Sequence, residues 1–187
     1  MTRAIALTLL LLLSSPARAQ SVETSVSLLG GISAENWHGQ VRVRALNIEF
    51  ARQRRGHTEL AWVFSPMQFE QPGNWFGDDF GPREDVLALS ASMLLRRRFR
   101  TGSARVQPYL ELAGGPIWAE TRVPAATSRF NFASQGGVGL VLGPHSNLPV
   151  SIGYRFLHIS NGGYAPRNPG LNVSALTIGF HPARTHR

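Results

Sequence analysis

The chain divides into eight short segments in which apolar and polar side chains partly alternate, with clusters of Gly, Pro, Asn and Arg between them. No helical period is sustained along the chain, and period-two alternation is typical of β-strands. Most segments have the length of about 9–11 residues that a tilted strand needs to cross a bilayer. The eight segments are residues 23–33, 40–51, 58–67, 85–96, 104–118, 129–142, 149–160 and 171–180.

The first 19 residues have the pattern of a secretory signal peptide. Arg3 is followed by an apolar run over residues 4–13, and residues 17–19 (Ala-Arg-Ala) match an A-x-A cleavage site. The run of ten apolar residues is too short to span a bilayer as a helix. We therefore predict cleavage after Ala19 and one mature domain over residues 20–187.

Three features favour a membrane barrel over a soluble β-sandwich, whose strands would also alternate. They are the signal peptide, the strand lengths and the even number of segments. An open sheet edge is not viable in lipid, so the strands must close on themselves. We predict an all-β fold, an eight-stranded antiparallel transmembrane β-barrel of the bacterial outer membrane. Apolar faces suited to lipid are clearest at Leu60, Trp62 and Phe64 and at Ile152, Tyr154 and Phe156.

An outer-membrane barrel with an even strand number has both chain ends in the periplasm, short periplasmic turns and longer outer loops. The predicted turns are residues 52–57, 97–103 and 143–147, and the predicted outer loops are residues 34–39, 68–84, 120–128 and 161–170. Three of the four predicted loops are longer than the turns, which fits this topology. The candidates for aromatic belts at the two membrane interfaces are Trp37, Trp62, Trp75 and Trp118.

All 19 basic residues are arginine, and the chain has no cysteine. Loss of Arg3 and Arg18 leaves 17 arginines against 11 acidic residues, a charge of +6 with histidine neutral. Such a charge suits nucleic acid or anionic lipid, because the guanidinium group binds phosphate. The arginines fall at strand ends and the aromatic residues alternate, so we expect no nucleic-acid partner. The arginines expected to meet periplasmic headgroups are Arg52, Arg54, Arg55, Arg96, Arg97, Arg98 and Arg100.

His158 and Ser160 lie two positions apart near the outer end of the seventh segment, on its apolar face. Residues i and i+2 of a strand point the same way, so both should face the lipid of the outer leaflet. A serine becomes a nucleophile when a base such as histidine lies beside it, and a third group fixes the tautomer of that base. Asn172 opens the next strand at the same level and could hold the far nitrogen of His158.

The stretch from Arg155 to Ser174, with its HISNGG element and Asn-containing loop, resembles the PagL-type lipid A 3-O-deacylases. Weaker similarities lie in residues 105–119 and 130–140. The resemblance implies an eight-stranded outer-membrane barrel that removes an ester-linked acyl chain from lipid A in the outer leaflet. It also implies that His158 is the base and Ser160 the nucleophile of a serine esterase.

The loop that follows Ser160 matches the segment that holds the oxyanion in this family. By resemblance, the oxyanion would be bound by Asn161 and Asn168 with the backbone of Gly162 and Gly163. Arg167 in the same loop is a candidate ligand for a phosphate of lipid A, because arginine binds phosphate well.

One position departs from the family, whose best-known members have a glutamate where this chain has Asn172. An amide oxygen can accept the N–H of His158, but it supplies no charge to an imidazolium. Two hypotheses follow: an esterase that uses Ser160, His158 and Asn172, or a non-catalytic structural or lipid-binding barrel of the same fold. If Asn172 is not the third member, Glu120 is the next acid to consider.

We expect no cofactor and no metal site. His181 and His186 lie five positions apart in the C-terminal tail without a cluster of further ligands, and no phosphate-binding GxxxxGK[ST] motif occurs. The expected partner is lipid A, or lipopolysaccharide, in the outer leaflet. The sequence leaves open which acyl chain is removed, whether the barrel forms a homodimer and whether its activity is restrained in the membrane.

Overall fold

The computed structural model describes residues 22–34, 40–54, 57–74, 81–102, 105–125 and 127–181. The predicted cleavage site after Ala19 lies outside these residues, as do Arg55, Trp37 and Trp75. The described residues form eight strands. They are β1 (Val22–Ser33), β2 (Arg42–Arg54), β3 (Thr58–Pro72), β4 (Arg83–Arg98), β5 (Val106–Ala119), β6 (Phe130–Leu142), β7 (Val150–Ser160) and β8 (Leu171–Phe180).

The strands close into a barrel in which each pairs antiparallel with its neighbour in the chain, and β8 pairs with β1. Closure leaves no unpaired sheet edge, which is what a sheet in lipid requires. The predicted fold is therefore confirmed, and every predicted segment overlaps a strand. Within the described part of the chain, no helix is long and apolar enough to cross a membrane.

The outer face of the barrel is apolar, as the alternation predicts. Trp62 and Phe64 are exposed on it, and so are Ile152, Tyr154 and Phe156 of β7. Their chain neighbours, such as Ser151 and Arg155, are buried inside the barrel. Trp118 also lies on the outer face, near the end of β5.

The connections differ in length between the two ends of the barrel. Those at residues 34–41, 73–82, 120–129 and 161–170 have eight to ten residues, whereas those at 55–57, 99–105 and 143–149 have three to seven. In outer-membrane barrels the longer loops face outward. We therefore name the ends the outer end and the periplasmic end.

The predicted loop 68–84 is too long, because β3 continues to Pro72 and β4 begins at Arg83. An ionic contact supports this extension: Glu70 accepts from Arg42 at 3.0 Å and from Arg83 at 2.9 Å. Phe69 is buried beside it. Polar residues in this stretch resemble a loop in sequence, but they pair across strands at the outer end.

The barrel interior has two regions. Apolar side chains fill the part near the outer end, including Phe69, Ile117, Leu157, Ile159 and Leu171. The part near the periplasmic end holds buried ion pairs. Their members are Arg96 with Glu49, Glu59 and Glu111, Arg98 with Glu59, and Arg155 with Glu111.

Arg96 corrects one of the sequence-based expectations. We expected it to meet periplasmic headgroups, but it is 4% exposed and points into the barrel. Its Nη1 atom lies 3.1 Å from Glu49 Oε2, and its Nε donates to Glu111 at 3.0 Å. Arg98 is likewise paired with Glu59 at 2.9 Å. Arg97, between them, is exposed on the outer face.

Candidate active site

The imidazole of His158 on β7 and the amide of Asn172 on β8 are direct cross-strand partners. His158 Nδ1 lies 2.7 Å from Asn172 Oδ1, and both side chains are half-buried on the outward side of the sheet. An amide oxygen only accepts hydrogen bonds, so Nδ1 is the nitrogen that carries the proton. The lone pair therefore lies on Nε2, the nitrogen that faces away from Asn172.

Ser160 is the last residue of β7 and has the same outward parity as His158. It pairs with Phe132 of β6, so its hydroxyl is at the outer end of the barrel. Among the described residues, no hydrogen bond joins Ser160 to His158. Nucleophile–base contacts are often long in structures without substrate and shorten in the complex.

Gly170 lies against the imidazole of His158, a contact that the sequence reasoning missed. A Cβ atom there would lie 3.0 Å from Cε1 of His158, and the φ angle of +73° also favours glycine. The backbone can therefore lie against the edge of the imidazole only because position 170 has no side chain. The sequence signal was the Pro-Gly pair directly before β8.

The loop after Ser160 is folded around the side chain of Asn161, which is 1% exposed. Its Nδ2 donates to the carbonyl of Arg167 at 2.8 Å, and its Oδ1 accepts from the N–H of Gly163 at 2.8 Å. The backbone N–H of Asn161 donates to Asn168 Oδ1 at 3.0 Å. Asn161 thus holds the loop together with both ends of its amide.

These bonds divide the predicted oxyanion ligands into two groups. Among the described residues, Asn168 forms a hydrogen bond only through its oxygen, so its NH₂ group is available to a ligand. The N–H of Gly162 has no acceptor among the described residues, whereas that of Gly163 is held by Asn161. Gly162 and Gly163 have φ angles of +67° and +82°, which glycine adopts without strain.

Arg167 is exposed on the same loop, and its carbonyl accepts a hydrogen bond from the amide of Asn161. Glu120, the alternative acid, does not lie next to His158. Glu120 follows β5, and β6 lies between β5 and β7 in the barrel. Its Oε1 accepts a hydrogen bond from the N–H of Leu87 at 2.9 Å. Asn172 is therefore the group that orients His158.

Aromatic side chains cover the outer face beside Ser160. The ring of Phe130 lies 5.2 Å from that of Phe132 and 6.2 Å from that of Tyr164, measured between centroids. The hydroxyl of Tyr164 donates to the carbonyl of Phe130 at 2.6 Å, which ties the loop to β6. Trp118 extends this surface, with its ring 6.1 Å from Phe130. The surface offers apolar contact to a lipid chain near Ser160.

No group of three His, Cys, Asp or Glu side chains that could hold a metal occurs within the part of the chain that the structure describes. The arrangement contains a hydroxyl, an imidazole with one nitrogen oriented by an amide, and a loop with N–H donors that have no acceptor in the described part of the chain. These are the groups that acyl transfer to a serine requires.

Comparison with known proteins identifies a family model that matches the chain. The family model described as lipid A 3-O-deacylase (PagL) matches residues 20–181. The search among curated proteins found no match.

Solved structures share the fold. The crystal structure of the outer membrane enzyme PagL superposes with a TM-score of 0.58 at 18% identity, covering 82% of this chain and 97% of that one. Neisserial surface protein A gives a TM-score of 0.60 at 16% identity, with 86% and 94% covered. Ail, the attachment invasion locus protein of Yersinia pestis, gives 0.51 at 16% identity, with 87% and 97% covered.

Proposed function

Because the chain belongs to the lipid A 3-O-deacylase (PagL) family, we propose that it is an outer-membrane serine esterase that hydrolyses the 3-O-linked acyl ester of lipid A. The family and the fold place the barrel in the bacterial outer membrane. The observation that carries the proposed chemistry is the 2.7 Å contact between His158 and Asn172. Ser160 lies two residues after His158 on the same outward face of β7.

The proposed reaction proceeds through an acyl-enzyme. Nε2 of His158 takes the proton of Ser160 as its Oγ attacks the ester carbonyl and forms a C–O bond. The bond to the 3-oxygen of the sugar then breaks, and His158 returns the proton to that oxygen. Water, deprotonated by the same Nε2, attacks the acyl-enzyme and releases the fatty acid with Ser160 restored.

Negative charge that develops on the carbonyl oxygen needs donors held in place beforehand. The NH₂ group of Asn168 and the N–H of Gly162 are the candidates, because neither is used inside the loop. Asn161 supports them indirectly by bonding to Arg167 and Gly163. We therefore assign Asn168, and not Asn161, as the side chain that contacts the oxyanion.

The location of the site suits a substrate that arrives within the membrane. His158 and Ser160 lie on the outside of the barrel, so lipid A of the outer leaflet can reach them by lateral diffusion. The aromatic surface of Phe130, Phe132 and Tyr164 gives the acyl chain a contact next to the nucleophile.

A non-catalytic lipid-binding barrel is the second candidate, and Asn172 is the observation that favours it. An amide in place of a carboxylate gives the imidazolium no opposite charge, which lowers the rate of proton transfer. This candidate uses the same surface for lipid but predicts no turnover.

Lipid A incubated with purified protein in detergent distinguishes the two candidates. Mass spectrometry should detect the loss of one 3-O-acyl chain and the release of one fatty acid with the natural protein, and neither with Ser160→Ala. Intact lipid A after incubation with the folded natural protein would instead favour the non-catalytic barrel.

A further inference from the structure

Tyr164 connects the loop after Ser160 to the neighbouring strand β6. Its hydroxyl donates to the carbonyl of Phe130 at 2.6 Å, and its ring lies 6.2 Å from the Phe130 ring. The reaction proposed above uses the ring of Tyr164 as a contact for the acyl chain, but it gives no role to the hydroxyl.

The carbonyl of Phe130 lies beyond the end of β7. Phe130 begins β6, two residues before the residue that pairs with Ser160. The N–H of Ala119 on β5 donates to the carbonyl of Arg129, so the next carbonyl, that of Phe130, points to the opposite side, toward β7. Because β7 ends at Ser160, the hydroxyl of Tyr164 takes the place that a strand partner would have.

Two glycines lie between Ser160 and Tyr164. Gly162 and Gly163 have φ angles of +67° and +82°, and the N–H of Tyr164 donates to the carbonyl of Asn161 at 3.5 Å. Positive φ angles at both central residues are typical of a type I′ turn. Glycine has the largest backbone freedom of any residue, so such a turn keeps one position only if both of its ends are fixed.

The two ends of this glycine turn are fixed in different ways. At its start, Ser160 pairs with Phe132 of β6, and a Cβ atom on Gly162 would lie 3.9 Å from the Phe132 ring. The side-chain bonds of Asn161 lie within the loop and fix its shape. The hydroxyl of Tyr164 crosses to β6 and fixes the position of the turn beside Ser160. The N–H of Gly162, which has no acceptor among the described residues, lies between the two fixed ends.

We propose that Tyr164 is a positioning residue: its hydrogen bond to β6 holds the glycine turn so that the N–H of Gly162 is directed at the oxyanion formed at Ser160. The proposal rests on the proposed esterase function, and it adds a residue that does not touch the reacting atoms. A donor stabilises an oxyanion best when it is held in place before the charge develops, because no reorganisation is then needed during the reaction.

Tyr164→Phe separates the role of the hydroxyl from that of the ring. It removes the bond to Phe130 and keeps the exposed aromatic surface, so it opens no core cavity. The Phe130 carbonyl retains a hydrogen bond from Ser128 Oγ at 2.9 Å, and the barrel should still fold. With lipid A in detergent, kcat should fall about tenfold at an unchanged KM. This loss is smaller than the ~10²–10³ for removal of a donor, because Gly162 keeps its N–H.

Tyr154→Phe is the matched control. Tyr154 is also exposed on the outer face, and its hydroxyl lies 3.0 Å from Ser174 Oγ on β8, away from the glycine turn. This variant loses the same atom from the same face, so its kcat should equal that of the natural protein. An equal loss of kcat in Tyr154→Phe and Tyr164→Phe would overturn the positioning role.

Tyr164→Leu removes the ring together with the hydroxyl. It should lower kcat as Tyr164→Phe does, and it should also raise KM, because the acyl chain loses a contact. A natural kcat in Tyr164→Phe, with a raised KM in Tyr164→Leu alone, would overturn the proposal and leave Tyr164 as a lipid contact.

Octylboronic acid gives a second readout that needs no turnover of lipid A. Oγ of Ser160 forms a bond to boron while His158 takes its proton, and a hydroxyl oxygen of the tetrahedral boronate occupies the position of the oxyanion. Boron NMR in detergent micelles detects this adduct, which Ser160→Ala should not form. Tyr164→Phe should bind the boronic acid about tenfold more weakly, whereas Tyr154→Phe should bind it as the natural protein does.

The two readouts separate this proposal from the proposed function. Equal kcat values and equal boronate affinities in Tyr164→Phe and the natural protein would overturn the positioning role and leave the esterase assignment intact. A Ser160 boronate whose affinity depends on Tyr164, without release of fatty acid from lipid A, would support the positioning role and overturn the lipid A assignment. A natural protein that forms no boronate and releases no fatty acid would overturn both.

Discussion

His158 Nδ1 and Asn172 Oδ1 lie 2.7 Å apart across the β7–β8 pair, on the outside of a membrane barrel. This contact fixes the proton on Nδ1 and leaves the lone pair on Nε2, the nitrogen that acts as the base in the proposed reaction. It orients the imidazole as a carboxylate would, but it provides no charge. The contribution of charge to the proposed catalytic group can therefore be measured at this one position.

Asn172→Glu should raise kcat for lipid A deacylation, because a carboxylate both orients His158 and stabilises its cationic form. Asn172→Ala should lower kcat on the order of tenfold or more, since the ring loses its partner. Fatty-acid release by the three proteins, measured in one detergent at one pH, gives the comparison. Wild-type activity in Asn172→Ala would remove Asn172 from the catalytic group.

Ser160→Ala and His158→Ala should each lower deacylation on the order of a thousandfold, because both remove a group that takes part in bond making. Neither change opens a cavity in the core, so the barrel should still fold. Ser134→Ala is the matched control, since Ser134 is the exposed residue opposite His158 on β6. Loss of activity in Ser134→Ala with activity retained in Ser160→Ala would reassign the nucleophile.

Gly170→Ala should lower kcat strongly with a smaller effect on stability. A new Cβ would lie 3.0 Å from the imidazole of His158, so the ring must move. The positive φ angle adds about 1 kcal/mol to the cost of folding. Gly102→Ala is the control, because nothing lies within 4 Å of its Cβ position. Equal kcat values for the two variants and the natural protein would mean that Gly170 does not position His158.

His181, directly after β8, should make the barrel less stable in acid. Its Nε2 lies 3.0 Å from Ser151 Oγ, and burial, together with the charges of Arg96 and Arg98, lowers its pKa to about 4. In the unfolded chain His181 has a pKa near 6.5, so between about pH 4 and pH 6.5 the unfolded chain binds more protons than the folded barrel. The contribution of neutral His181 to the stability of the barrel is complete above pH ~6.5 and is lost as the pH falls toward about 4.

Urea unfolding in detergent at pH 7 and pH 4.5 measures this dependence. His181→Asn should show a smaller loss of stability between the two pH values than the natural protein. His145→Asn, at an exposed histidine in the 143–149 connection, should behave like the natural protein. An unchanged pH dependence in His181→Asn would exclude His181 as the titrating group.

Arg96→Gln should destabilise the barrel by about 3–5 kcal/mol, because it leaves buried carboxylates without their cation. Those carboxylates belong to Glu49, Glu59 and Glu111. Arg97→Gln should have a small effect, since Arg97 is exposed on the outer face next to it. The unfolding midpoints of the two variants are the measurement. Equal midpoints would show that the buried network contributes little.

The barrel itself could be predicted from local pattern. Period-two alternation is a property of the extended backbone, so Leu60, Trp62 and Phe64 indicate the lipid-facing side without any knowledge of their neighbours. The alternation along β4 also predicts an inward position for Arg96. Its neighbour Leu95 is exposed, and successive residues of a strand point to opposite faces. The run of three arginines concealed this signal, because it resembles a membrane-facing cluster.

The candidate site also has one part that the sequence determines and another that only the tertiary structure determines. The spacing of His158 and Ser160 is a local feature and determines that both point outward. Their relation to Asn172 depends on the register of β7 with β8, and the role of Gly170 depends on where the loop returns. Likewise, Gly30 of β1 lies between Arg44 of β2 and Leu176 of β8 only because β8 closes onto β1. Sequence determines the direction of each side chain along a strand, whereas long-range hydrogen bonding between strands determines which side chains meet.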